Sequence, residues 1–245
     1  MILTRVVPTA AGTERIDLDD ARALDSLAAL YAAPRREWLR LNLVSSVNGS
    51  AAGADGTSDS LTNSADRTIL RVIRSLADVV LVGAASVRAE GYHLPRSSRL
   101  AVLTGTGDLE GHRLKGDVEP GRLLVICPAA AVARAAASLD GVAAEIIAVD
   151  DIDGRIAPAD IIARLRGRGL AHIVCEGGPS LAGQLIDADV VDELCLSTGP
   201  VITTSQLPLF GGAGVAERRL ELNQLLVDDA SGLYARWLLP RPAAG

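Results

Sequence analysis

The run His172-Ile173-Val174-Cys175-Glu176-Gly177-Gly178-Pro179-Ser180-Leu181 brings together the residue types that an anion site needs. Ile173 to Cys175 reads as a short buried strand, with an acid at its end, two glycines after it, and then a helix running past Gln184. The glycines let main chain approach a ligand with no Cβ in the way. A helix N-terminus behind them offers exposed N–H groups and the positive end of its dipole. Ser180 suits the N-cap, where its hydroxyl takes a first-turn amide hydrogen. The same residues also suit an ordinary strand-to-helix turn, and a lone glycine pair does not decide between the two.

Two further strand ends have the same character, at Gly83-Ala84-Ala85-Ser86 and at Thr104-Gly105-Thr106-Gly107. Ligands of open α/β sheets bind beyond the carboxyl ends of the strands, and three small-residue openings along one edge suit an extended phosphorylated ligand such as a dinucleotide. The glycine fingerprint of a standard Rossmann unit is missing. His93, His112 and His172 lack metal-ligand spacing, so no metal site is expected, and no zinc-deaminase signature exists. Neither a nucleophile elbow nor a Walker lysine occurs. His172 reads as a capping or surface residue, and Glu176 as a ligand-binding carboxylate or as a counter-charge to the helix. Hydride transfer gains by comparison, because the cofactor carries the reactive atom and the protein positions it.

The elements that must hold these residues alternate. Val79–Gly83, Leu100–Thr104, Leu123–Cys127, Glu145–Val149, Ile173–Cys175 and Glu193–Gly199 read as strands separated by helical patterns, which implies βαβ units and a mainly parallel sheet. Trp38 to Ser46 alternates as a half-buried strand and leads into a long polar loop, Ser46 to Ser60, of the kind that serves as a lid or binding loop. Asn63-Ser64 caps a helix over Ala65 to Ala77, whose Ile69, Val72, Ile73 and Leu76 form one stripe. On its other face Arg67, Arg71 and Arg74 form a row that reads as solvated surface or as an anion contact. An earlier helix is expected over Leu18 to Ala32, with Leu24, Leu27, Ala28 and Tyr31 on one face. Leu220–Asp228 and Leu233–Leu239 form a terminal hairpin turning at Ser231-Gly232.

With 245 residues, 49% of them hydrophobic but only 2% aromatic, the core must be built from Leu, Val, Ile and Ala. That composition suits parallel strands covered by helices. A net charge of −6 argues against nucleic acid or an anionic membrane as a partner. Cys127, Cys175 and Cys195 fall in apolar runs without paired spacing, which points to buried thiols in a reducing compartment. No signal segment or membrane-length apolar run stands out, so a cytoplasmic protein is expected.

Ser46-Val47-Asn48-Gly49, Thr57-Ser58, Arg74, Val82 to Glu90 and Glu176 to Gly183 with Val191-Asp192-Glu193-Leu194 together resemble the reductase domain of riboflavin biosynthesis, the C-terminal half of the bifunctional pyrimidine deaminase/reductase. The resemblance runs from about Trp38 to the C-terminus and treats residues 1–37 as an extension of one reductase domain. It implies an α/β dihydrofolate-reductase-like fold: a mainly parallel mixed sheet flanked by helices, with a C-terminal antiparallel hairpin. It implies NADPH as cofactor, a homodimer, and reduction of 5-amino-6-(5-phosphoribosylamino)uracil. By position it implies cofactor contacts at Val44, Gly83, Ser86, Glu90, Thr104, Gly177, Gly178, Pro179, Ser180 and Leu181. Substrate contacts fall at Ser58, Arg74, Leu94, Arg96 and Glu176, with Asn48 and Glu176 in catalytic roles. The chain departs from the family pattern at Asn48, Ser50 and Ser60, where an aspartate, a basic residue and a tryptophan are usual. A pterin such as dihydrofolate is therefore a second candidate substrate, and a dinucleotide-binding protein with little catalysis a third possibility.

Overall fold

The computed structural model describes residues 1–7, 14–89, 92–114, 118–152, 155–211 and 215–240. In chain order its elements are β1 (Ile2–Val7), β2 (Arg15–Asp17), α1 (Ala23–Tyr31), β3 (Trp38–Ser46), α2 (Ser64–Ser75), β4 (Val79–Gly83), α3 (Ala84–Ala89), β5 (Arg99–Leu103), β6 (Leu123–Pro128), α4 (Val132–Ser138), β7 (Glu145–Val149), α5 (Pro158–Arg166), β8 (His172–Cys175), α6 (Pro179–Asp187), β9 (Glu193–Gly199), β10 (Glu221–Asp228) and β11 (Leu233–Leu238). All eleven strands join one sheet in the order β2-β1-β10-β11-β9-β3-β8-β4-β5-β6-β7. From β9 to β7 the neighbours are parallel. From β11 outward to β2 they are antiparallel.

The near-continuous apolar runs are explained by helices on both faces. In β4, Val79 and Leu81 enter the core beneath α5 and α6, while Val80 and Val82 face α3 and α4. Successive side chains of a strand alternate faces, so a strand covered twice has no polar side to show. On the face that carries α3 and α4, α1 and α2 cover the other half of the sheet, with Leu27, Tyr31, Ile69 and Ile73 against Val174, Cys195 and Leu226.

One polar layer is sealed inside. Glu193 accepts hydrogen bonds from Trp38 Nε1 (2.9 Å), Arg40 Nε (2.7 Å) and Arg236 Nε, and none of the three charged residues is more than 4% exposed. The same arginines donate to the Tyr31 and Leu30 carbonyls, closing the C-terminus of α1. Both guanidinium groups also lie over the Tyr31 ring. One carboxylate thereby joins β3, β9 and β11 to the end of a helix.

Three sequence expectations shift. The first helix begins at Ala23 rather than Leu18, because Asp17 and Asp20 take the amides of Asp19 and Arg22 in a turn. The short β2 occupies part of what precedes it, and Leu24 is exposed. Helix α6 begins at Pro179 with Gly178 at the N-cap, so Ser180 is not the cap. A proline fits the first helical position, where no amide hydrogen is required; Ser180 Oγ instead accepts from Gln184 Nε2 at 3.1 Å. The arginine row on α2 also divides: Arg67 pairs with Asp59 on the exposed side, whereas Arg74 turns inward. Asn63 caps α2 as expected, its Oδ1 accepting from the Asp66 amide at 3.0 Å.

Candidate active site

A cleft of about 450 Å³ opens at the carboxyl ends of β3, β8 and β4, a size suited to a small organic ligand. Its back is Asn42, Leu43 and Val44 of β3. One wall is α2, another the start of α3, and the turn from Glu176 to Pro179 closes the inner end. The loop after β3 forms the roof together with Leu207 and Leu209.

That turn is built from glycine for a reason visible in the backbone. Gly177 has φ +93°, a conformation that L side chains rarely adopt. Its carbonyl accepts from the Gly83 amide (2.9 Å), and the Glu176 amide donates to the Leu81 carbonyl (3.0 Å), so the turn is hydrogen-bonded to β4. A cis peptide bond joins Gly177 to Gly178. A Cβ on Gly178 would stand 3.1 Å from Ser86 Oγ, so the turn meets the Ser86 hydroxyl of α3 with bare main chain. At the start of α6, Gly211 packs on Pro179 and Ser180, its amide donating to the Pro179 carbonyl at 2.9 Å.

Polar chemistry concentrates on the α2 wall. Arg74 donates from Nε and Nη2 to the two carboxylate oxygens of Glu176, both at 2.6 Å, and Tyr92 Oη donates to Glu176 Oε2 at 2.8 Å. The Arg74 guanidinium also lies 5.7 Å from the Tyr92 ring centre. Burial draws the Arg74 pKa down, but Glu176 and Tyr92 outweigh it and hold Arg74 above its ordinary value, firmly charged. Two turns earlier on the same face stands Asp66, with Leu70 between them. Burial pushes the Asp66 carboxyl up, against the Ser197 hydroxyl and the Arg67 charge, which draw it down.

Of the residues singled out in the sequence, Val44, Ser58, Arg74, Ser86, Glu176, Gly177, Gly178 and Pro179 come together on the lining. Gly83 lies just behind, bonded to Gly177. His93, named for its lack of metal-ligand spacing, also lines the cleft, whereas Asn48, Thr104, Ser180, Leu181, Leu94 and Arg96 are not on the lining. Asn48 Oδ1 accepts from Ser46 Oγ and the Thr203 amide, and its Nδ2 donates to the Thr203 carbonyl, so its amide ties two loops together instead of facing a substrate. Thr104 is buried at the end of β5, its amide bonded to Ile126. Leu181 belongs to the core, and Ser180 points outward to Gln184. Leu94 packs on the β5–β6 core, while Arg96 is exposed with its carbonyl accepting from Arg122. Glu90 lies outside the described residues.

The departures at Ser50 and Ser60 have internal partners too. Ser50 is buried and bonds the Ala52 carbonyl, and Ser60 Oγ donates to Asp55, which also gathers both Thr57 donors. Those hydrogen bonds hold Asp55 below the usual carboxylate range. The sequence reading passed over Asp66, Leu70, Tyr92 and Leu207. The spacing of Asp66, Leu70 and Arg74 at i, i+4, i+8 marks one helix face and was the available signal for two of them; for Tyr92 and Leu207 there was none.

The RibD C-terminal domain family matches residues 37–232. The chain belongs to that family. It is 28% identical over 199 residues to the riboflavin biosynthesis protein RibD of Mycobacterium tuberculosis H37Rv, covering 76% of this chain and 51% of that protein. The chain thus spans about half the length of the curated relatives it matches. A pyrimidine reductase-like protein from Corynebacterium diphtheriae has a similar structure, with TM-score 0.71, 26% identity, and 84% of this chain and 93% of that one covered. The riboflavin biosynthesis reductase Rib7 of yeast shares the fold at TM-score 0.62 and 14% identity, over 89% of this chain and 99% of its own. The mixed sheet with its closing hairpin is the dihydrofolate-reductase-like fold. Among the described residues no helix is long and apolar enough to cross a membrane, and no group of acids, histidines or cysteines has the makings of a metal site.

Proposed function

We propose that this chain is an NADPH-dependent reductase acting on a phosphoribosylaminopyrimidine, as 5-amino-6-(5-phosphoribosylamino)uracil reductase. The single observation that carries the proposal is the bare main chain of Gly177-Gly178, which lines the same cleft as Ser86, Arg74 and Glu176. A side chain at Gly178 would crowd Ser86 and cover that main chain, so the residues present fit a dinucleotide. Gly177, Gly178 and Pro179 would hold the dinucleotide, with Ser86 and Val44 beside it. When bound it supplies the hydride. The chain's own residues orient the acceptor: Arg74 spends one edge of its guanidinium on Glu176 and keeps its Nη1 donors for an anionic group. Family membership supports the substrate class, and on the same ground we infer a cytoplasmic homodimer.

A pterin such as dihydrofolate is the second candidate, and one observation favours it. Arg74 is the only lysine or arginine on the lining among the described residues, and it is already paired with Glu176. A substrate without a phosphate would suit such a cleft. Stopped-flow oxidation of NADPH with each substrate separates the two, and complementation of a reductase-deficient riboflavin auxotroph tests the first directly. If NADPH binds tightly and neither substrate accelerates its oxidation, the protein binds dinucleotide without this catalysis.

A further inference from the structure

Asn42 is out of keeping with its strand. β3 runs between β8 and β9 in the middle of the sheet, a setting that favours β-branched and aromatic side chains and in which asparagine is depleted. Leu41 and Leu43 turn to the face covered by α5 and α6. Asn42 turns to the other face, where its register partner Cys195 packs with α1 and α2. On its other side β3 and β8 stay in register to Leu41 and Cys175, so Asn42 and Glu176 hold the next position along. Asn42 is half-buried and lines the cleft, as do Val44 and Leu70. Yet among the described residues no hydrogen bond engages its side-chain amide, whereas Glu176 takes Arg74 and Tyr92, and the amide of Asn48 in the loop is bonded to Thr203. An amide left unpaired in a largely apolar cleft costs free energy, and a ligand that supplies the missing bonds recovers it.

We propose that Asn42 reads the heterocycle of the substrate, its amide oxygen and NH2 group pairing with a ring N–H and the carbonyl next to it. The proposal rests on the reductase reading and deepens it, because it assigns the ring to the β3 side of the cleft and leaves Arg74 for an anionic end. A primary amide holds an acceptor and two donors in one plane, so it meets a lactam edge through two parallel hydrogen bonds. Both candidate substrates, the pyrimidine and the pterin, carry such an edge, and Asn42 serves either. A site built on such bonds rejects an analogue that lacks them far more strongly than an apolar pocket separates ligands by size, because the protein's own polar group is then left unpaired. Asn42 is thereby a specificity-determining residue of this cleft.

The test is calorimetry with 5,6-diaminouracil and its 1,3-dimethyl derivative, which has no ring N–H, on the wild type and on the near-isosteric Asn42→Leu. The wild type should bind the parent ring about tenfold or more tightly than the methylated one. In Asn42→Leu that preference should shrink to about twofold or less. NADPH affinity, read from dinucleotide fluorescence, should stay within about twofold. The thermal midpoint should hold or rise, because an unpaired amide gives way to an apolar group of similar shape. Asn42→Asp is the second variant: it keeps the size, sets a carboxylate against the ring carbonyl, and should weaken the parent ring about tenfold. With the full substrate, Asn42→Leu should lose mainly in KM and less in kcat. A ring preference that survives in Asn42→Leu overturns the proposal, as does a wild type that binds neither ring or binds both alike. So does a loss of ring binding that comes only with a lowered thermal midpoint in both variants, which would make Asn42 structural. Ring discrimination in a wild type that never oxidises NADPH rejects the reductase reading and leaves Asn42 as the reader of a heterocycle-binding cleft; NADPH oxidation without ring discrimination does the reverse.

Discussion

Arg74 on α2 and Glu176 at the end of β8 meet through two hydrogen bonds of 2.6 Å, although 102 residues separate them in the chain. The pair locks the helix wall to the strand end, and only a planar, forked cation can make both bonds at once. Arg74→Lys should therefore behave as a loss. We expect kcat/KM for the proposed pyrimidine substrate to fall about tenfold or more, with the dissociation constant of NADPH within about twofold of wild type. Equal losses in both would mean that the pair shapes the whole cleft rather than its substrate end.

Gly178→Val tests the turn. Its Cβ alone would press to 3.1 Å from Ser86 Oγ, and the branched methyls would occupy the space behind. Dinucleotide affinity should weaken at least about tenfold, about 1.4 kcal/mol. A fluorescence titration that returned the wild-type dissociation constant would remove the cofactor from this turn.

All three cysteines are buried. Burial pushes the Cys175 and Cys195 thiols up to about 12, and raises Cys127 as well. Because the thiolate is the reactive form, a thiol reagent at neutral pH should label none of them in the native protein and all of them after denaturation. Burst labelling of native protein would contradict the burial.

Acid should unfold this protein through two sites. Burial raises the Glu193 pKa, but the charges of Arg40 and Arg236 outweigh it and leave the carboxyl below its usual value. Asp228 is likewise lowered: burial opposes, but hydrogen bonds from Tyr234, Gly232, Asn63 and Ala230 prevail. A carboxyl whose folded pKa is depressed contributes stability that is present above its unfolded pKa, about 4, and is lost as pH falls through the folded value. Thermal midpoints should thus decline below about pH 4. Glu193→Gln, which leaves two buried arginines uncompensated, should cost about 3–5 kcal/mol in denaturant titrations and flatten that decline.

Much of this architecture was legible beforehand because apolar runs and glycine-rich ends report directly on a sheet covered on both faces. The strands from Trp38 onward and the final hairpin appear where their patterns indicate. The site was half legible. Gly177, Gly178, Ser86 and Arg74 stand on the lining, each at the end or on the wall of a predicted element. Asn48 was not readable, since its partner Thr203 lies 155 residues away and only tertiary structure shows its amide is already spoken for. Asp66 and Leu70 were readable only from their helical spacing to Arg74, because the arginine row drew the reading to charge rather than to that face. The turn before α1 misled for the opposite reason: periodicity favoured a helix, and local aspartates captured the amides first.

The pairing of β1 with β10 sets Leu3 opposite Asp228, and β3 finds its neighbours only in β8 and β9. Synthesis must therefore reach β10 before β1 gains any partner but β2, and must reach β8 before β3 gains its first, whereas the intervening βαβ segment from β4 to β7 is free to assemble earlier. Long-range pairings of this kind delay folding and leave nascent strand edges open. Recombinant yield should consequently respond to growth temperature and chaperone supply more than to any substitution in the cleft.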